Sequence, residues 1–261
     1  MNASYNRDGY LIARKVLKPG AVQRVLSDMH LLAMSQMMYL RIWKGESDLH
    51  NDFQLLLAAD RNRYLATLTL CAKLKSLWEL YLDHGIQDTV DDLGLMFPVF
   101  QTAPVMHLMS DKLQIPGGYR GFGQHQDWPT MQGSLDAVTV WIPLTPVGQD
   151  NFTLEVAPGS HKAGLYPALR KDHIFEVDGT ITNWTPIEAQ PGDVVFMSAF
   201  TVHRSSMEGR GLRIATSMRY ENAAEPTFIE RGYPFAHKRV VASELITPDF
   251  PSAEQVQRVF E

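Results

Sequence analysis

Val138-Thr139-Val140-Trp141-Ile142, closed by Pro143, is a run of β-branched and aromatic residues that suits a packed, pleated strand. Two runs of the same kind follow, Val194-Val195-Phe196-Met197 and Leu212-Arg213-Ile214-Ala215-Thr216, set between Gly, Pro and Asn turns. No helical pattern alternates with them. Short strands joined by irregular loops predict an antiparallel double sheet and speak against a parallel α/β sheet.

Upstream the texture is helical. After Pro19-Gly20, the stretch from Ala21 to Leu40 places Val22, Val25, Leu26, Met29, Leu32, Ala33 and Met37 at helical spacing. A second helical region, about 51–95, is rich in Leu, Ala, Arg and Lys and is punctuated near His84-Gly85. The expected fold is mainly β with helical support: a double-stranded β-helix (jelly roll, cupin-like) with N-terminal helices packed on one sheet. The expected organisation is a single domain over 1–261, with a helical half at about 15–95 and a jelly-roll core at about 100–222. A C-terminal extension at 223–261 completes it, and there Pro251-Ser252-Ala253-Glu254 opens a short helix with Ser252 as its cap.

Composition narrows the partners. The 261 residues are 45% hydrophobic and 20% charged, an ordinary globular balance. A net charge of −5 with no cluster of basic residues argues against nucleic acid. Met1 to Lys15 lacks the apolar core of a signal peptide, and no stretch approaches the ~20 apolar residues that cross a bilayer. The single cysteine, Cys71, has no disulfide partner in the chain, which places the expected protein in the reducing cytoplasm, packed rather than cross-linked. The apolar stripes of the helices suit packing on the sheet and packing on a second copy equally.

The chemistry-bearing residues lie among the strands. In His125-Gln126-Asp127 an imidazole and a carboxylate two positions apart project the same way if the segment is extended. His203, beyond the turn Pro191-Gly192-Asp193 and an apolar strand, supplies a second imidazole. Two His and one carboxylate form the face that holds Fe(II) and leaves positions open for a cosubstrate and O₂. Ser205 follows His203 by two residues and Arg213 by ten. A guanidinium beside a hydroxyl can grip the distal carboxylate of a dicarboxylate cosubstrate. The residues by themselves leave open an oxygenase, a non-catalytic jelly roll that binds metal or a small ligand, and a cupin-type metalloenzyme without a cosubstrate.

Taken in order, His125-Gln126-Asp127, Trp141-Ile142-Pro143-Leu144, Val156-Ala157-Pro158-Gly159-Ser160-His161-Lys162, Pro191-Gly192-Asp193, His203-Arg204-Ser205 and Arg213 resemble the phytanoyl-CoA dioxygenase family of Fe(II)- and 2-oxoglutarate-dependent oxygenases. The opening Asp8-Gly9-Tyr10-Leu11-Ile12 is similar to that family too, so the resemblance runs from about residue 5 to residue 220. It implies that His125, Asp127 and His203 bind iron and that Arg213 and Ser205 hold the 5-carboxylate of 2-oxoglutarate. It also implies Gln126 and Trp141 as walls of the cosubstrate pocket, and it brings Gln114 near the place where some members carry a basic cosubstrate contact. His161 falls in a loop beside the site. The implied reaction consumes O₂ and 2-oxoglutarate, releases succinate and CO₂, and hydroxylates a small polar metabolite by default. Asp127 speaks against halogenation, since related halogenases replace that carboxylate with a small residue. One departure stands out: the family's Asn-Gly is here Asn151-Phe152, which is expected to change the turn and the substrate-side wall. With Phe152, the residues expected to face substrate are Trp128 and Trp184.

Overall fold

Aspartates and glycines at chain breaks cut the N-terminal half into helices. The computed structural model describes residues 2–45, 47–100, 102–115, 120–171 and 174–230, so the helix expected at Ser252 lies outside the described residues. A short helix α1 (Asn2–Asp8) leads into strand β1 (Tyr10–Ala13), and α2 (Ala21–Tyr39) begins directly after Gly20. The region expected as one long helical stretch is four helices: α3 (Leu49–Ala59), α4 (Arg61–Cys71), α5 (Lys75–Tyr81) and α6 (His84–Asp92). Asp48, Asp60 and Asp83 each precede a helix and accept a backbone N–H from its first turn, at Asn51, Arg63 and Gly85. Only the last of these breaks was anticipated near His84-Gly85.

The rest of the chain is strands β2 (Pro98–Phe100), β3 (Val105–Ser110), β4 (Val138–Pro143), β5 (Leu154–Val156), β6 (Ala168–Lys171), β7 (Ile174–Val177), β8 (Thr185–Pro186), β9 (Val194–Ser198), β10 (His203–Ser205) and β11 (Leu212–Asn222). Two short helices interrupt them, α7 (Trp128–Met131) and α8 (Pro226–Glu230). The major sheet runs β1-β9-β4-β11-β2, with β3 beside the first half of β11. The minor sheet is β10-β5-β8, and β6 and β7 form a hairpin. All of these pairings are antiparallel, as the strand texture predicts.

Two cores follow from period-two alternation on the major sheet. Val138, Val140 and Ile142 of β4, Val194 and Phe196 of β9, and Ile214, Met218 and Tyr220 of β11 face the helices. There they meet Val22, Val25, Met29, Ala33 and Met37, the buried stripe of α2. Trp141, Val195, Met197 and Ala215 face the other way, onto Leu154, Val156 and Ile187 of the minor sheet side. Burying each such aliphatic side chain stabilises the fold by roughly 1.5–3 kcal/mol. Cys71 belongs to the helix-side core, and burial pushes its thiol up to about 12. No described helix is long and apolar enough to cross a membrane.

Candidate metal centre and active site

The same alternation decides what the barrel interior contains. On β11 the residues interleaved with the helix-facing set are Arg213, Ala215, Ser217 and Arg219, so two cations face inward on a strand that is buried along nearly its whole length. His107 of β3, Thr139 and Trp141 of β4 and Ser205 of β10 line the same cavity, together with His125 and His203.

The two histidines are joined through their main chains. His125 and His203 exchange both backbone hydrogen bonds, N to O at 2.9 Å each, which brings their rings to 4.2 Å between centroids. Each ring is turned by the same local device: His125 Nδ1 donates to the Gly123 carbonyl at 2.8 Å, and His203 Nδ1 to the Thr201 carbonyl at 3.0 Å. A proton committed at Nδ1 leaves the Nε2 lone pair for a metal. The chain turns into α7 at Asp127 instead of staying extended, with Asp127 at φ −76°, ψ −33°. The carboxylate nevertheless meets the imidazoles: Oδ1 lies 3.8 Å from His125 Nε2 and Oδ2 lies 3.9 Å from His203 Nε2. All three side chains are buried, with ligand atoms within 4.8 Å of one another. Two inward Nε2 atoms and a carboxylate, converging on one point with the rest of the shell left open, fit a divalent iron.

Asp127 is held by residues the sequence did not flag. Thr139 Oγ1 donates to Oδ2 at 2.6 Å and Arg219 Nη2 donates to Oδ1 at 2.7 Å. Arg219 Nη1 also donates to Ser217 Oγ at 3.0 Å, and Ser217 Oγ pairs with His107 Nε2 at 2.8 Å. Burial by itself would raise the Asp127 carboxyl, but Arg219 and the two imidazoles overcome it and hold the group ionised, well below the usual carboxylate range. Burial first, and then His203, lowers His125 to about 3, so its imidazole is neutral and ready to ligate. Extending the third strand past Thr216 at period two would have found Arg219, six positions beyond Arg213 on the same face. Stepping back from Trp141 by two would have found Thr139.

Arg213 is 2% exposed and lies beside Ser205 in the cavity lining. Its Nε donates to the Phe152 carbonyl at 3.1 Å, Nη2 contacts Met109 Sδ at 2.7 Å, and the guanidinium is 5.9 Å from the Trp141 ring centre. Phe152 adopts φ +58°, the left-handed conformation that glycine takes without cost. Phenylalanine here holds that left-handed backbone, and its carbonyl accepts from Arg213 Nε.

Other expected site residues lie elsewhere. Gln126 points away from the cavity, spending Nε2 on the Gly164 and Phe200 carbonyls at 2.7 Å each and Oε1 on the Tyr166 N–H at 2.9 Å. These contacts brace the loop, and Gln126 does not line the cavity. Gln114 is exposed beyond β3 and does not line the cavity. Trp128 stacks on Phe200 at 5.5 Å, half-buried at the start of α7. Trp184 gives its Nε1–H to the Ile181 carbonyl at 2.8 Å and carries the Arg204 guanidinium 4.1 Å above its ring. Arg204 in turn borders the cavity, so Trp184 is one shell removed from it. His161 sits on a single 3₁₀ turn against the Asn6 carbonyl, apart from the metal-binding cluster.

The model of the family described as phytanoyl-CoA dioxygenase (PhyH) matches residues 5–210. The chain belongs to the phytanoyl-CoA dioxygenase family. This family member is 30% identical over 90 residues to a methylphosphonate hydroxylase of Gimesia maris, a stretch that spans 34% of each protein and so about a third of that relative's length. In structure it is similar to the apo form of the non-heme monooxygenase ThoJ, with a TM-score of 0.60, 16% identity, and 85% and 76% of the two chains covered. It is also similar to EctD from S. alaskensis with 2-oxoglutarate and 5-hydroxyectoine, with a TM-score of 0.56, 16% identity, and 92% and 84% covered. At that identity the two structures speak for the shared fold of this PhyH chain.

Proposed function

We propose that this chain is an Fe(II)- and 2-oxoglutarate-dependent oxygenase that hydroxylates an unactivated carbon of a small metabolite, with release of succinate and CO₂. The observation that carries the reading is that His125 and His203, which converge with Asp127, line one cavity with Arg213 and Ser205. When bound, iron supplies the site for O₂ reduction coupled to oxidative decarboxylation of the cosubstrate. His125 and His203 offer Nε2 to it, and Asp127 offers one carboxylate oxygen while Thr139 and Arg219 fix the carboxylate's plane. Arg213 and the Ser205 hydroxyl hold the distal carboxylate of 2-oxoglutarate, and Trp141 walls that end of the cavity. Burial of His125, Asp127, His203, Arg213 and Arg219 keeps bulk water from them, which strengthens each charged contact.

The test is succinate formation by the iron-loaded protein, followed with 2-oxoglutarate and O₂ against a library of metabolites. Succinate that depends on all three components supports the reading. Absence of both succinate release and 2-oxoglutarate binding to the metal-loaded protein would overturn it.

A further inference from the structure

The register of the major sheet decides what His107 can reach. His107 of β3 stands opposite Ala215 of β11, so Ser217, two residues further on the same face of β11, is its diagonal neighbour. Their side chains meet: His107 Nε2 lies 2.8 Å from Ser217 Oγ, and both residues are buried. Ser217 Oγ also accepts from Arg219 Nη1 at 3.0 Å, and Arg219 Nη2 donates to Asp127 Oδ1 at 2.7 Å. A continuous hydrogen-bonded path therefore runs from β3 across β11 to the carboxylate of the metal-binding face.

Each link has a direction. A guanidinium only donates, so one lone pair of the Ser217 oxygen is committed to Arg219, and the hydroxyl proton or the second lone pair is left for His107. Burial, and then the charges of Arg213 and Arg219, keep the His107 imidazole neutral. A neutral ring is a donor at one nitrogen and an acceptor at the other, so either tautomer can complete the bond. Without it Ser217 is free to turn about χ1, and Arg219 loses the anchor on Nη1. Ser217 and Asp127 hold the two Nη groups, while Nε has no hydrogen-bond partner among the described residues. A planar guanidinium fixed at two points keeps its orientation; fixed at one, it swivels. His107 also has an apolar contact toward the imidazole half of the centre, through the Phe122 ring, which stands edge-on to His107 at 6.1 Å and to His125 at 5.4 Å.

We propose that His107 is a positioning residue of the metal centre: it holds Ser217, Ser217 holds the Nη1 edge of Arg219, and Arg219 thereby keeps Asp127 in the plane that faces both imidazoles. The proposal rests on the reading that His125, Asp127 and His203 hold a divalent metal, and it adds a residue that acts on Asp127 through two others.

The experiment uses cobalt(II)-loaded protein: visible absorption reports the ligand field, chelator competition reports affinity, and denaturant unfolding of the apo form reports stability. His107→Phe keeps a ring against Phe122 and removes both nitrogens. It should weaken cobalt binding about three- to ten-fold, less than the roughly 10–100-fold of a direct partner of a ligand, and shift the absorption bands. In a Ser217→Ala background the same substitution should change neither quantity, because the path is already cut. His107→Gln, whose amide can donate or accept, should recover much of both. Losses that multiply in the double variant overturn the proposal, since His107 then acts by another route. A His107→Phe protein of lower stability with wild-type affinity and spectrum overturns it too, as does a loss confined to 2-oxoglutarate binding. Should His107→Phe not fold, His107→Leu takes its place in the cycle, and Ser217→Ala by itself must weaken cobalt binding and shift the bands or the proposal fails. If the wild-type protein binds no cobalt, the metal-centre reading fails instead, and the two failures are distinct.

Discussion

Replacing Arg213 by methionine separates the cosubstrate role from the fold. The guanidinium is buried, reaches the Phe152 carbonyl with Nε, and shares the cavity with Ser205. A carboxylate docked there makes charge-assisted hydrogen bonds in a dry site, and truncating one partner of a buried charged pair costs about 2–5 kcal/mol. At about 1.4 kcal/mol per ten-fold, 2-oxoglutarate binding to Arg213→Met should weaken by about 30-fold to several thousand-fold. The unliganded fold changes less: the Phe152 carbonyl loses a donor, at about 1–3 kcal/mol, while removal of a buried cation offsets part of that loss. Manganese(II) affinity stays near wild type, because the contacts that orient the three ligand side chains come from Gly123, Thr201, Thr139 and Arg219. Calorimetric titration of 2-oxoglutarate into the manganese-loaded protein, beside denaturant unfolding of the apo form, reads all three quantities. Lysine at the same position retains charge but not the planar fork and falls between the two. Cosubstrate affinity within about three-fold of wild type in Arg213→Met would refute the assignment.

Thr139→Val keeps the shape of the side chain and removes the 2.6 Å donor on Asp127 Oδ2; metal affinity should fall by about 10–100-fold in competition with a coloured chelator, and unchanged affinity would show that Asp127 needs no such support. His107 is lowered well below its ordinary value, first by burial and then by Arg213 and Arg219, so the unfolded chain takes up its proton before the folded one does. Its contribution to stability is therefore present above about pH 6.5 and shrinks as pH falls below that, and His107→Gln should flatten the denaturant midpoint against pH in that range. A Cβ at Gly209 would collide with the Phe152 backbone nitrogen, so Gly209→Ala should destabilise by about 1–3 kcal/mol in denaturant unfolding and weaken 2-oxoglutarate binding through the displaced Phe152 carbonyl. A loss of stability with unaltered cosubstrate affinity would uncouple that carbonyl from Arg213.

The β architecture was legible because strands β4, β9 and β11 are dense in β-branched and aromatic residues, and period two is hard to disguise in such runs. The long reach of β11 was not, since Ser217, Arg219 and Glu221 break the apolar texture although all three are buried. Polar interior residues look like solvent-facing ones until a site is placed beside them. Helix breaks were missed for a related reason: Asp60 ends one helix and caps the next within a stretch whose composition favours helix throughout. That Gln126 and Gln114 stand off the cavity lining was not legible, because a residue's face on an irregular segment depends on local backbone turns that carry little sequence signature. Phe152 shows the converse, a residue whose side chain argues against the conformation its neighbours impose.

The centre itself divides the same way. Each histidine is oriented by a carbonyl two residues earlier in its own chain, Gly123 for His125 and Thr201 for His203, so the imidazole half of the site is built from local backbone and travels with its motif. The carboxylate half is built at long range: Thr139 lies on β4 and Arg219 on β11, 92 residues from Asp127. Substitutions on those two strands can therefore retune the carboxylate's plane and donor strength while the imidazoles stay in place.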